Sequence, residues 1–132
     1  GYRLPTEAEW EWAARGGVSS KGFTYSGSNT ISAVGWTNEN SSDGTKAVGT
    51  KAANELGIYD MSGNVWEWCE DWKADYPGGA VTDPKGPATG EYRVLRGGSF
   101  FNVCSFARSA FRFNVMPAGR GNSGGFRLAR TP

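Results

Sequence analysis

The sequence contains no histidine. That removes the commonest general base at neutral pH and the commonest transition-metal ligand from this chain. Only two cysteines are present, Cys69 and Cys104, too few and too far apart for a disulfide framework. They either pair once or stay as two free thiols, which behave as small buried hydrophobes. No apolar run of about 18 residues occurs, so no segment is expected to span a bilayer. No charged-then-apolar leader opens the sequence either. The most informative gap is in negative charge. From Tyr92 to Pro132 there is no acid and no lysine, but there are seven arginines. Such a stretch either makes a basic face for an anionic partner or pairs across the fold with carboxylates from residues 1–91, which planar guanidinium groups do well. The second reading is favoured. Nucleic-acid binders usually add lysines and a recognisable motif, and neither is present.

What is there fits one domain. A chain of 132 residues can bury a real core. Its 20 glycines and many short polar stretches predict a loop-rich α+β architecture with short strands. The one clear helix is written in "LPTEAEWEWAARGG". Thr6 and Glu9 form a capping box, Arg15 sits in the last turn, and Gly16 and Gly17 stop the helix. Trp10, Ala13 and Ala14 share one face, with Trp12 beside it. Residues 17–45 read as a long surface loop pinned by Tyr25 and Trp36. Short strands are expected near 47–50, 65–70, 93–99, 107–113 and 125–130.

The segment "NELGIYDMSGNVWEWCEDW" alternates. Trp66, Trp68 and Trp72 fall on one side of a strand, and Glu67, Cys69 and Asp71 on the other. Just before it, Asp60, Ser62, Gly63, Asn64 and Glu67 surround a tight turn. Oxygen ligands around a glycine turn suit a hard cation such as calcium. Asx turns and caps use the same residues. The segment "RGGSFFNVCSFARSAFRF" poses a different problem. Phe100, Phe101, Phe106, Phe111 and Phe113 follow neither a strand period nor a helix period.

Four motifs, "GYRLPTEAEWEWAARGG", "NELGIYDMSGNVWEW", "RVLRGGSF" and "GGFRLAR", stand in an order that resembles the formylglycine-generating-enzyme-like domain, a variant of the C-type lectin fold. The resemblance covers nearly the whole chain. It implies a C-type lectin-like fold of the formylglycine-generating-enzyme type with short antiparallel strands, and a position in the C-terminal portion of a larger domain. Oxidases of this family hold copper with two cysteines after the "RGGS" motif. The matching positions here are Asn102 and Ala107, so no copper is expected, and Cys104 stands alone at another offset. Copper(I) wants two soft ligands. A histidine-ligated iron branch would find no ligand in this chain. The family's calcium loop, carried over by position, gives Asp60, Gly63, Val65 and Glu67 as a structural calcium set.

A third branch that the sequence resembles is the variable proteins of diversity-generating retroelements, some of which act at phage or bacterial surfaces. Their variable stretch is patterned like residues 93–129. Template adenine mutagenesis at AAY codons cannot yield Trp, Gln, Lys, Glu or Met. The corresponding positions are Phe101, Val103, Ser105, Phe106, Phe111, Phe113, Val115, Ala118, Gly119, Gly121, Asn122 and Ser123, and every residue there is reachable. The excluded types make up about a fifth of ordinary composition, so this outcome has chance odds of roughly one in fifteen. Arg96, Arg108, Ala110, Arg112 and Arg127 would be the fixed frame. Phe100 and Phe126 are expected in the core, and Phe101, Phe106, Phe111 and Phe113 on an exposed face. The resemblance thus implies a non-enzymatic ligand-binding domain, at a cell surface or outside the cell, for a protein or cell-surface ligand. The alternative is a formylglycine-generating-type oxidase or an inactive relative. Calcium-mediated sugar binding is disfavoured, because residues 92–132 lack acids.

Overall fold

The computed structural model describes residues 1–132. A two-residue strand, β1 (Tyr2–Arg3), pairs antiparallel with the last strand, β6 (Ala129–Arg130), and ties the two ends together. Helix α1 (Glu7–Ala14) follows. Its start is the capping box expected from sequence: Thr6 Oγ1 accepts from the Glu9 N–H, and Glu9 Oε2 accepts from the Thr6 N–H. Arg15 is the C-cap and pairs with Glu11, and Gly16 leaves the helix in the left-handed region. Trp10 and Ala14 are buried, while Trp12 is exposed.

Residues 17–45 are more ordered than a loop. They contain a 3₁₀ turn (Gly17–Ser19) and two single-turn helices, α2 (Ile31–Val34) and α3 (Asn38–Ser41). Ile31 and Val34 are one turn apart and pack with Ala107 in a small second core. The Asn40 side chain accepts from the Thr37 N–H at the start of α3. One helical turn holds too few apolar repeats to register as a period.

The main sheet has the order β4-β3-β2-β5, with β2 (Trp66–Trp72), β3 (Arg93–Arg96), β4 (Arg112–Val115) and β5 (Gly124–Gly125). β2, β3 and β4 pair antiparallel, as expected, and the two-residue β5 adds a short parallel pairing to β2. The chain reaches that position by a return loop after β4 and not by a hairpin. The expected strand at 47–50 is exposed loop. The one at 107–113 is instead a 3₁₀ turn (Cys104–Ala107) followed by β4. There the Arg96 guanidinium takes the carbonyls of Ser109 and Phe111, so a side chain replaces the ladder. The expected 125–130 strand is split between β5 and β6.

Cross-strand register gives the two sheet faces. Glu67 lies opposite Arg96, and Arg96 opposite Arg112. This row faces α1. The next row, Trp68, Leu95 and Phe113, faces away. Cys69 and Val94 join Trp10, Ala14 and Met61 in the main core beneath α1. Both cysteines are free, and burial pushes the Cys69 thiol up, which makes it inert.

Candidate ligand-binding site

The site is built on the sheet face away from α1. Its centre is Trp66, the first residue of β2, which is buried beneath the phenylalanine rings. Phe113 on β4 lies 5.0 Å from it, centroid to centroid. Phe111 and Phe106 follow at 6.1 and 6.5 Å. Phe106 and Phe111 also meet each other edge to face at 4.7 Å. Such edge-to-face and offset pairs are the favourable geometries for aromatic rings. The irregular phenylalanine spacing now has a cause. The rings come from a 3₁₀ turn, a connector and a strand, and converge on one tryptophan from outside the segment.

The backbone of this segment is held by groups outside the candidate variable positions. Asn64 sits in the left-handed region and its carbonyl accepts from the Phe100 N–H. The Asn38 N–H donates to the Asn102 carbonyl, and the Ser109 N–H to the Thr24 carbonyl. Ser62 Oγ donates to the Ala107 carbonyl at 2.7 Å. Trp66 N–H donates to the Ser123 carbonyl. Two glycines allow the close approaches. A Cβ on Gly63 would lie 2.4 Å from the Trp36 carbonyl oxygen, and one on Gly98 would lie 3.0 Å from the backbone of Phe106 and Ala107; both have positive φ.

Behind the sheet an ionic frame fixes the register. Arg96, with a fully buried side chain, donates to Glu7 Oε2 at 2.9 Å and also to Glu11. Arg112 makes a bidentate pair with the same Glu7, at 2.6 Å for each bond. Burial opposes the Arg112 charge, but the Glu7 carboxylate outweighs it and raises the pKa. Burial likewise works against Glu11, yet Arg96 and Arg15 hold it below the usual carboxylate range. Arg127 makes a bidentate pair with Glu67, which also accepts from Trp10 Nε1 at 2.6 Å. Arg96, Arg112 and Arg127 of the acid-free stretch therefore pair with carboxylates from the first half, as the sequence reading favoured.

The expected site residues fall as follows. Phe101, Val103, Ser105, Phe113, Ala118, Gly121 and Asn122 are exposed. Phe106, Phe111, Val115, Gly119 and Ser123 are half-buried, and none of the twelve is buried. Between them, Phe100, Ala107 and Ser109 are buried. Phe101 is 72% exposed and makes none of the ring contacts around Trp66. Two frame expectations need correction. Phe126 is 67% exposed and not core, because its neighbour Arg127 turns inward to Glu67. Ala110 is exposed, since the connector it sits on is held by backbone carbonyls and not by packing. Trp66 is the residue of this cluster that was not among the expected site residues, and it is buried. The alternation that set the tryptophans against Glu67 and Cys69 was the signal for it.

The calcium positions fit a cation in part. Asp60 Oδ1 is buried without a partner, and its other oxygen accepts from the Gly49 N–H. Glu67, by contrast, is already the counterion of Arg127 through both oxygens. At the positions of the family's copper pair, Asn102 Oδ1 accepts from Ser99 Oγ and Ala107 is buried.

The sulfatase-modifying factor enzyme 1-like domain matches residues 1–132. Formylglycine-generating enzyme of Thermomonospora curvata is 40% identical over 155 residues, covering 100% of this chain and 50% of that protein. The structure of Treponema denticola variable protein 1 superimposes with a TM-score of 0.90 at 45% identity, covering 97% of this chain and 47% of that one. PvdO from Pseudomonas aeruginosa superimposes at 0.78 with 34% identity, covering 96% and 51%. The chain thus spans about half the length of these relatives. It has the loop-rich, mixed helix-and-strand fold of these formylglycine-generating-enzyme-type C-type lectin-like proteins. The chain belongs to the sulfatase-modifying factor enzyme 1-like domain family.

Proposed function

We propose that this chain is a ligand-binding domain of the variable-protein type, presenting residues 101–123 as a diversified surface to a protein ligand. One observation carries the reading. None of the twelve candidate variable positions is buried, although buried residues are interleaved with them. The set was taken from the motif frame, and the fold leaves every member exposed or half-buried. The likeness to Treponema denticola variable protein 1 supports it. The mechanism is rigid display: bonds from Asn64, Ser62, Arg96 and Trp66 fix the backbone without using the side chains of the twelve positions. An open aromatic face suits a protein surface better than a small closed ligand. The relatives that are oxidases keep the alternative enzyme reading in view, but Asn102 and Ala107 offer no thiol for copper.

Calcium is proposed as a structural ion at Asp60, Gly63, Val65 and Glu67, with Glu67 shared with Arg127. Its task would be to hold the turn ahead of Trp66. Location at a cell surface or outside the cell is likewise a proposal. The test of the main reading is genetic. The coding sequence should lie beside a reverse-transcriptase gene and a near-identical template repeat that differs at adenines in these twelve codons. A neighbourhood lacking both, with variation among sister strains spread evenly over the domain, would overturn it.

A further inference from the structure

The charge around the phenylalanine face is lopsided. The stretch that builds it has no acid. Its buried arginines are neutralised on the far side of the sheet, by Glu7 and Glu67. Two others are not. Arg108 is exposed, donates only to the Ser105 carbonyl, and has its guanidinium 5.8 Å from the centre of the Phe111 ring. Arg120 is exposed in the turn between β4 and β5, the turn whose Ser123 carbonyl accepts from Trp66. Neither forms an ion pair. Glu39 on α3, the helix joined to this segment through Asn38 and Asn102, pairs with neither arginine.

We infer that the occupant of this face is an acidic protein segment: an apolar side chain seated on Phe106, Phe111 and Phe113, the rings that cover Trp66, flanked by carboxylates that meet Arg108 and Arg120. This rests on the binding-face reading above and narrows it. The aromatic centre supplies the affinity, as buried aromatic anchors do. The rim arginines select partners and speed encounter, as rim charges do. Arg108 is predisposed to a carboxylate, since its bond to Ser105 holds the fork while leaving both terminal nitrogens free.

Random linear peptides displayed on phage, panned on the folded chain, test this directly. The enriched peptides should combine an aliphatic or aromatic residue with neighbouring Asp or Glu. Their binding should vanish in Phe113→Ser and weaken as salt is raised. The double variant Arg108→Ala/Arg120→Ala should lower the association rate roughly tenfold. Denaturation midpoints confirm that each variant is folded. Peptides that need Phe113 but are neutral or basic, or ignore the two arginines, overturn this inference and leave the binding face standing. Heparin serves as a polyanion without an apolar anchor. Binding of heparin through the arginines, unaffected by Phe113→Ser, with no such peptide enriched, also overturns it. If no peptide depends on the face at all, both readings fail.

Discussion

Phe106 and Phe111 meet edge to face at 4.7 Å, and both rings lean on Trp66. Two positions read as displayed are therefore also part of a small half-buried stack. That predicts a graded series of serine substitutions. Phe101→Ser should change stability by less than about 0.5 kcal/mol, as exposed sites do. Phe106→Ser and Phe111→Ser should each cost about 1–3 kcal/mol, for partial burial plus ring contacts. Phe100→Ser and Trp66→Ser should cost roughly 3–5 kcal/mol. Phe126→Ser, at an exposed site, should fall with Phe101. Chemical denaturation of the six variants reads the order. Phe101 costing as much as Phe100 would show that the face is core.

The ionic frame should be brittle. Glu7 is the shared acceptor of Arg96 and Arg112. Glu7→Gln leaves the buried Arg96 with only Glu11 as counterion, and removing one partner of a buried pair typically costs about 3–5 kcal/mol. Arg112→Ala should destabilise in the same direction, but less, because Arg96 keeps Glu7 occupied. Equal stability of Glu7→Gln and the unaltered chain would contradict the role given to the frame.

Two carboxylates should respond to acid with opposite signs. Glu9 is held down to about 2, first by its bond to Arg3 and also by the cap. A depressed folded pKa gives stability that is present above the unfolded value near 4.5 and lost as pH falls through about 2. The pair is exposed, so the effect should be small and should shrink further in salt. Asp71 is raised, mainly by burial. Its charged form therefore opposes folding at neutral pH, and that penalty is relieved as acid protonates it. Asp71→Asn keeps an acceptor for the Glu7 N–H, so it should melt higher than the unaltered chain at pH 7 and lose that advantage on acidification. Melting curves against pH for Glu9→Gln and Asp71→Asn check both signs.

Calcium at Asp60 should appear as linked stability. A ligand bound only by the folded state adds about 2.7 kcal/mol at a hundred times its dissociation constant. The melting temperature should rise with calcium, fall with chelator, and lose this dependence in Asp60→Asn. An unchanged melting temperature with chelator, and no metal by elemental analysis, would remove the site.

The chain should not make formylglycine. Neither Asn102 nor Ala107 is a thiol, and Cys104 is one sulfur beside Tyr25, not a copper pair. Incubation with copper and a cysteine-containing sulfatase peptide should give no aldehyde. Turnover that disappears in Cys104→Ser would restore the oxidase reading.

Much of the fold was legible because its signals are local. The Thr6–Glu9 capping box, the glycine stop and the tryptophan alternation each lie within a few residues, and each appears as read. The arginine pairing was legible as a charge imbalance, although not which acid each arginine takes. What escaped was set by distant groups. The 107–113 strand fails because Arg96 reaches across to its carbonyls. β5 pairs parallel because a loop returns it beside β2. Phe126 looked like core by its place in a motif, and only the inward turn of Arg127 leaves it outside. For the site, the motif frame proposed positions that the fold leaves exposed or half-buried, but no pattern in residues 93–129 could name Trp66 as the ring beneath them.

The central claim is that the backbone of residues 101–123 is fixed by its frame, so that change at the twelve displayed side chains costs far less than change in the frame. Two libraries displayed on yeast test it. One varies the twelve candidate positions through AAY-derived codons; the other varies Arg96, Ser99, Phe100, Ala107, Ser109 and Arg112 through the same codons. Protease resistance of the displayed chains measures the folded fraction. Most members of the first library should stay resistant, and almost none of the second. Equal collapse of both libraries would contradict the account.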